Sequence, residues 1–243
     1  MDVDQGNESD FGEWEDRAIG VYHMNGTNQL FDESIYNSDG VTNGNPTVDT
    51  DGIIGKAIDF DGAGDFFNIG DSQPAFDNLT ILAWVKISGD SDNCIVCKTD
   101  TTLTDGEFEF SYGLVEDEFR INYNDGSGWV GGPHTGTDSV ELDTWYFVAV
   151  TFDSIDMNIY LDGELKATDS APTSDLASNS VDVYIGARVR DATSYVLNGF
   201  LDEVRIYNRT LSTDEIKAIY ENTVGTQNFA PLGPVVEFRQ STS

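Results

Sequence analysis

"TWYFVAVTFDSIDMNIYLDGELKAT", residues 144–168, decides the fold class. The run Thr144–Phe152 is rich in β-branched and aromatic residues and is apolar at both parities, which predicts a central strand covered on both faces. Within the second run, 157–168, Asp162-Gly163 supplies the positive φ that a two-residue hairpin turn needs. The stretch therefore predicts neighbouring antiparallel strands that bury their side chains.

Working outward, runs of the same kind recur at 19–25, 56–62, 65–70, 79–88, 94–98, 107–116, 119–124, 181–189 and 200–208, separated by Gly, Asp, Asn and Ser clusters. Many short strands at regular spacing imply a sandwich or barrel. One helix is expected, at 213–221: Ser212 with Glu215 three residues on forms a capping box, and Ile216, Ile219 and Tyr220 fall on one stripe. Residues 1–16 and 226–243 lack periodicity and read as an N-terminal extension and a C-terminal tail or linker, leaving 17–225 as one domain.

The composition narrows the partners. Forty-four acidic residues stand against twelve basic ones in 243, a formal net charge of −32. Such a surface has no basic patch for a phosphate backbone and repels anionic lipid, so nucleic acid and membrane adhesion are excluded. An Asp-rich, Lys-poor chain suits concentrated salt, where the Debye length is about 3 Å at 1 M and self-repulsion is screened. A halophile or a virus of one is the expected source; an acidic secreted protein or a calcium-rich setting is the alternative. No apolar run is long enough to span a bilayer. The acidic start "MDVDQGNESDFGEWED" has no signal-peptide pattern, an expectation that fits a virion component made inside its host.

Cys94 and Cys97 lie in "NCIVCK", which reads as a short strand. Residues three apart on a regular strand point to opposite faces, so free, partly buried thiols are expected over a disulfide or metal site.

The stretch "GFLDEVRIYNRTLSTDEI", 199–216, holds an anomaly. Counting by twos, Phe200, Asp202, Val204 and Ile206 share one face and Leu201, Glu203, Arg205 and Tyr207 the other. Asp202 is thus a carboxylate on an apolar face, and burying it unpaired is costly. Glu203 and Arg205 are expected to pair at the surface, where such a pair contributes little.

The order of these motifs, with "GVYHMN", "FDESIYNSDG", "GKAIDFDGAGDFFNIG", "LTILAWVKI", "YIGAR" and the closing "FLDEVRIYNRTLSTDEIKAIYEN", resembles the laminin-G-like, concanavalin A-like lectin/glucanase domains over about residues 17–224. The resemblance implies an all-β jelly-roll sandwich of two antiparallel sheets with one short C-terminal helix. It also implies a structural Ca²⁺, with Asp32, Asp61, Asp65 and Asp202 at the matching positions; a hard cation taking oxygen ligands would remove the Asp202 anomaly. The other reading keeps Asp202 as a cap on backbone N–H groups. The loop "DESIYNSDGVTNGN" departs from the family's usual glycine-rich loop, which weakens its ligands more than Asp202.

The fold hosts lectins, adhesion modules and glycosidases, so activity has to be argued from residues. Glucanases of this fold use an E-x-D-x-E pattern to place two carboxylates about 5 Å apart, and that pattern does not occur. Glu107 and Glu109 share a strand face but read as a solvated acidic face. His23 and His134 are isolated, and no catalytic residue is assigned.

For ligand recognition, the loop 123–137 offers Trp129 and His134, and the loop 187–199 offers Arg188, Arg190 and Tyr195; Tyr184, Arg188 and Arg190 share one strand parity. Trp84 and Trp145 read as core. Sequons at Asn7, Asn25, Asn78 and Asn208 permit glycosylation. Together these point to a non-enzymatic surface module that binds a glycan or a protein partner, in the setting of a virion turret, spike or fibre or of other surface-layer subunits. The alternatives are a structural decoration protein and a secreted glycoside hydrolase or lyase.

Overall fold

The computed structural model describes residues 18–25, 30–49, 51–71, 78–89, 91–99, 108–124, 128–153, 155–170, 181–188 and 195–227. Over these the strands are β1 (Ala18–Tyr22), β2 (Val41–Asn43), β3 (Thr47–Asp49), β4 (Ala57–Asp61), β5 (Phe66–Gly70), β6 (Leu79–Ile87), β7 (Asn93–Lys98) and β8 (Phe108–Gly113). They continue with β9 (Glu118–Asn124), β10 (Trp129–His134), β11 (Trp145–Phe152), β12 (Asp156–Leu161), β13 (Glu164–Ser170), β14 (Val183–Ile185) and β15 (Asn198–Tyr207), and helix α1 (Thr213–Gln227) closes the fold.

All pairings are antiparallel and form two sheets. The first runs β13-β12-β11-β6-β15-β4-β3, with β1 also on β15; the second runs β10-β9-β8-β7-β14-β5-β2. Their facing sides enclose the main core, where Phe60, Phe67, Phe108, Phe110, Phe119 and Phe152 are almost fully buried. This is the expected jelly-roll-like sandwich. The opening stretch supplies β11, β12 and β13, and Leu161 pairs with Glu164 across the Asp162-Gly163 turn, whose φ values are 52° and 75°.

The strand expected to be covered on both faces is so covered. On the outer side of the first sheet, Phe147, Trp84 and Tyr220 of α1 meet with ring centroids 5.6–5.7 Å apart. Ile216 and Ile219 from α1 complete this second apolar layer. The helix starts at the capping box: Ser212 N–H donates to Glu215 Oε2 (2.7 Å) and Glu215 N–H to Ser212 Oγ (3.3 Å). It runs to Gln227, beyond the 221 expected. Trp84 is core, in this outer layer, and its Nε1 donates to Thr223. Trp145 is only half-buried, against Phe200 and Lys86.

Two β-bulges overturn readings made by counting parity. At β15 the pairing with β6 shifts between Asp202 and Arg205, and Glu203 has φ 50°. The extra residue puts Leu201, Val204 and Ile206 in the inter-sheet core and turns Asp202 away from it. Pairing changes here too: β4 accompanies β15 up to Leu201 and β1 takes over from Val204. Asp202 stands at that handover. Its Oδ2 accepts from Ile53 N–H (2.7 Å) and Ile54 N–H (2.9 Å), and its Oδ1 from Glu203 N–H (2.9 Å). Burial, reinforced by the charge of Glu203, pushes its pKa up to about 7 against those three donors.

The Glu203–Arg205 pair is not at the surface. Arg205 Nη2 donates to Glu203 Oε2 at 2.7 Å with both side chains at most 2% exposed. His23, expected to be isolated, meets the other oxygen, Glu203 Oε1, at 2.7 Å. Burial opposes both charges, yet Glu203 raises the His23 pKa, and His23 and Arg205 together hold Glu203 below the usual carboxylate range.

The second bulge lies in β7. Cys94 pairs with Ser111 and Val96 with Phe110, so one residue is skipped and Ile95 and Val96 both enter the core. Cys94 and Cys97 are thereby left on one face, their Cα atoms 6.3 Å apart, and form a disulfide instead of the free thiols expected.

Candidate functional site

The outward face of the second sheet carries a register row that crosses all seven strands: Gly131, Asn122, Glu109, Cys97, Tyr184, Asn68 and Val41. At about 4.8 Å per strand the row is on the order of 29 Å long. Its β10 end opens as a cavity of about 310 Å³ lined by Glu109, Arg120, Asn122, Trp129, Val130, Gly131, Arg188 and Tyr195.

Arg188 organises this cavity. The chain leaves β14, passes Gly186 at φ 91°, and returns at Tyr195 as a short hairpin: Leu197 N–H donates to Gly186 O (2.7 Å) and Arg188 N–H to Tyr195 O (3.1 Å). That return sets the guanidinium carbon of Arg188 3.4 Å from the centre of the Tyr195 ring. Its Nη1 donates to Glu109 Oε1 at 2.8 Å, with the two side chains 10% and 9% exposed. A guanidinium stacked on an aromatic ring and fixed by a carboxylate has few rotamers left, so its exposed edge is preorganised.

Arg120 enters from β9 and is shared at its far end between Asp92 (3.5 Å) and Glu116 (3.6 Å). Trp129, half-buried, forms the β10 wall. Among the described residues the enclosed donors Trp129 Nε1 and Arg120 Nε have no hydrogen-bond acceptor. The lining thus concentrates N–H donors, two guanidinium groups and an indole, while Arg188 is paired with Glu109 and Arg120 with Asp92 and Glu116.

Of the six ligand residues expected from sequence, Trp129, Arg188 and Tyr195 come together here. His134 does not line the cavity; its Nδ1 lies 2.6 Å from Glu118 Oε2, with the imidazole 53% exposed. Tyr184 lies further along the row, edge-on to Phe66 with centroids 5.9 Å apart, and burial raises its pKa. Arg190, like Glu107, lies outside the described residues. Sequence reasoning missed Arg120 and Asn122, although their shared parity on β9, opposite Phe119, Ile121 and Tyr123, was readable. It also misread Glu109, which is buried and ion-paired, not a solvated face.

The four carboxylates expected around calcium are not drawn to one centre. Asp32 accepts from the N–H groups of Val21, Ser34 and Ser38 (2.8–2.9 Å) and from Ser34 Oγ. Asp65 accepts from Asn45 N–H (2.6 Å) and Asp61 N–H (3.3 Å), and Asp61 from Ala63 N–H (2.7 Å). Asp202 takes the role of a cap on backbone N–H groups. Among the described residues no group of three or more His, Cys, Asp or Glu side chains is arranged to hold a metal ion.

A sandwich of two antiparallel sheets closed by one helix is the architecture of a concanavalin A-like domain. The family model described as the Concanavalin A-like lectin/glucanases superfamily, of laminin-G type, matches residues 61–217, and the chain belongs to that family. Among solved structures it resembles the receptor binding domain of botulinum neurotoxin C/D mosaic serotype (18% identity, TM-score 0.69), covering 86% of this chain and 52% of that one. The botulinum neurotoxin serotype D ligand binding domain in complex with N-acetylneuraminic acid is similar at 18% identity and TM-score 0.67, over 86% and 51%. The binding domain of Paraclostridial Mosquitocidal Protein 1 follows at 14% and 0.66, over 86% and 52%. The chain thus spans about half the length of these structures, and at such identities the likeness is one of fold. No curated protein matches it.

Proposed function

We propose that this chain is a non-enzymatic binding module that holds a glycan in the cavity between Trp129, Arg120, Arg188 and Tyr195. The observation that carries the reading is that the Arg188–Tyr195 stack and Trp129 line one cavity of about 310 Å³. Sugars are recognised by aromatic faces together with fixed planar polar groups, and this cavity offers both. Its surplus of donors suits an acceptor-rich ligand. Glycoside hydrolysis needs two carboxylates flanking one bond, whereas Glu109 is the one carboxylate lining the cavity among the described residues and is engaged by Arg188.

The solved neighbours are described as receptor or ligand binding domains, which supports the same reading. The Cys94–Cys97 disulfide supports an oxidising, external location, and the acid surplus supports a high-salt one. A turret, spike or fibre on the virion of a halophilic archaeal virus, attaching to host glycans, combines these features. A glycan array probed in high salt with wild type and Trp129→Ala tests the reading: specific spots that vanish in the variant support it. Absence of binding to any glycan would favour a structural decoration role.

A further inference from the structure

The opposite end of the same sheet is built differently. Phe31, Ile35, Tyr36 and Val41 are 49%, 78%, 45% and 67% exposed, and they are four of the eight large apolar side chains exposed among the described residues. All four fall within one eleven-residue segment, too dense a cluster for scattered surface hydrophobics. The segment is firmly held. The Asp32 carboxylate gathers the N–H groups of Val21, Ser34 and Ser38, Asp32 N–H donates to Asp39 Oδ1 (2.9 Å), and Gly40 N–H donates to Leu30 O (2.7 Å). Its apolar side chains are therefore displayed by an ordered loop.

Beside the loop lies a cavity of about 610 Å³ whose walls include Tyr36, Val41, Asp39, Asn68 and Asp182. No lysine, arginine or histidine is among its described lining residues. Asp182 is steadied by Asn68 Nδ2 donating to Oδ2 (2.8 Å), and Asp39 by Asp32 N–H on Oδ1. Each carboxylate keeps its other oxygen out of these bonds. Two fixed carboxylates beside aliphatic and aromatic side chains complement an ammonium or guanidinium group on an apolar stem. A second copy of this chain has only twelve lysines and arginines in 243 residues with which to meet these carboxylates, which disfavours self-docking.

We infer that this end of the sheet is a protein-docking site for a partner segment that presents lysine or arginine flanked by apolar residues. The cation sits between Asp39 and Asp182 while the apolar neighbours cover Ile35, Tyr36 and Val41. Partner docking here leaves the Trp129 cavity, at the β10 edge, open.

Fluorescence anisotropy with labelled twelve-residue peptides tests this. An alternating Lys–Leu peptide is expected to bind saturably, with affinity reduced at least about tenfold by Ile35→Ser with Val41→Ser, or by Asp39→Asn with Asp182→Asn. Leu165→Ser, at a distant exposed apolar position on β13, and Trp129→Ala leave it unchanged. Equal binding of a Lys–Ser peptide would reduce the effect to bulk charge and overturn the inference, as would absence of saturable binding or indifference to the variants. A dimer in sedimentation that Ile35→Ser dissolves would assign the face to a second copy, and a glycan lost on Asp182→Asn without peptide binding would assign it to sugar; either result overturns the proposal.

Discussion

The guanidinium carbon of Arg188 lies 3.4 Å from the centre of the Tyr195 ring, and the same side chain closes on Glu109 at 2.8 Å. The pair joins a returning hairpin to the face of β8. Arg188→Lys keeps the charge but loses the stack and the planar fork. It is expected to weaken glycan binding by roughly tenfold or more while the protein stays folded. Arg188→Ala also leaves Glu109 buried without its guanidinium, and costs on the order of 3 kcal/mol in denaturant unfolding. Glu109→Gln in the Arg188→Ala background recovers part of that stability, since no buried charge then remains.

Gly186 sets where that hairpin leaves the sheet. A Cβ there would lie 2.5 Å from Phe60 Cε1, and φ is 91°, so both packing and backbone oppose a side chain. Gly186→Ala is expected to destabilise the fold by about 1–3 kcal/mol and to weaken the site through Arg188. Thermal melting and ligand titration of the same variant check both effects.

The disulfide closes a loop of only four residues, so the chain-entropy account gives it about 2 kcal/mol. Cys94→Ser with Cys97→Ser should lower the melting temperature accordingly. Because β7 adjoins β8, where Glu109 resides, hydrogen exchange is expected to rise first across β7 and β8. Uniform exchange over both sheets would show that the staple acts on the whole fold.

Asp202 sets a pH dependence whose sign follows from its raised pKa. Between the unfolded value near 3.8 and the folded value of about 7 the native state binds the extra proton, so stability falls as pH rises through that window. His23, also raised, adds a loss above its unfolded value of 6.5. Glu203 runs the other way, its contribution being lost as pH falls below its unfolded 4.5. Asp202→Asn is expected to flatten the unfolding free energy between pH 4 and 7 relative to wild type. The same melting curves with EDTA or added Ca²⁺ are expected to coincide, since backbone N–H groups already occupy the Asp202 oxygens.

Where the chain alternates without interruption, its architecture was legible. The doubly apolar run of β11, the Asp162-Gly163 turn and the Ser212–Glu215 box each state their own geometry in local residue types. Parity counting failed at Glu203 and at Ile95–Val96, because a bulge adds one residue and reverses every face beyond it. No residue type at either place announces the shift. Asp202 was therefore placed on the core side and the cysteines on opposite faces, whereas Arg205 does lie opposite Val204 and Ile206 but is buried there with Glu203 instead of solvated. The site was legible in its loop residues, Trp129, Arg188 and Tyr195. Glu109, Arg120 and Asn122 join them only through the pairing of β8, β9 and β10, and strand register is a property of the folded sheet.

The central claim is that the Trp129 cavity holds a glycan. Calorimetric titration of the best array glycan into wild type and Trp129→Ala at high salt tests it most directly. Saturable one-to-one binding, lost in the variant while the two melting temperatures agree within a few degrees, is the predicted result. Equal affinity of the two proteins would place the ligand elsewhere and contradict it.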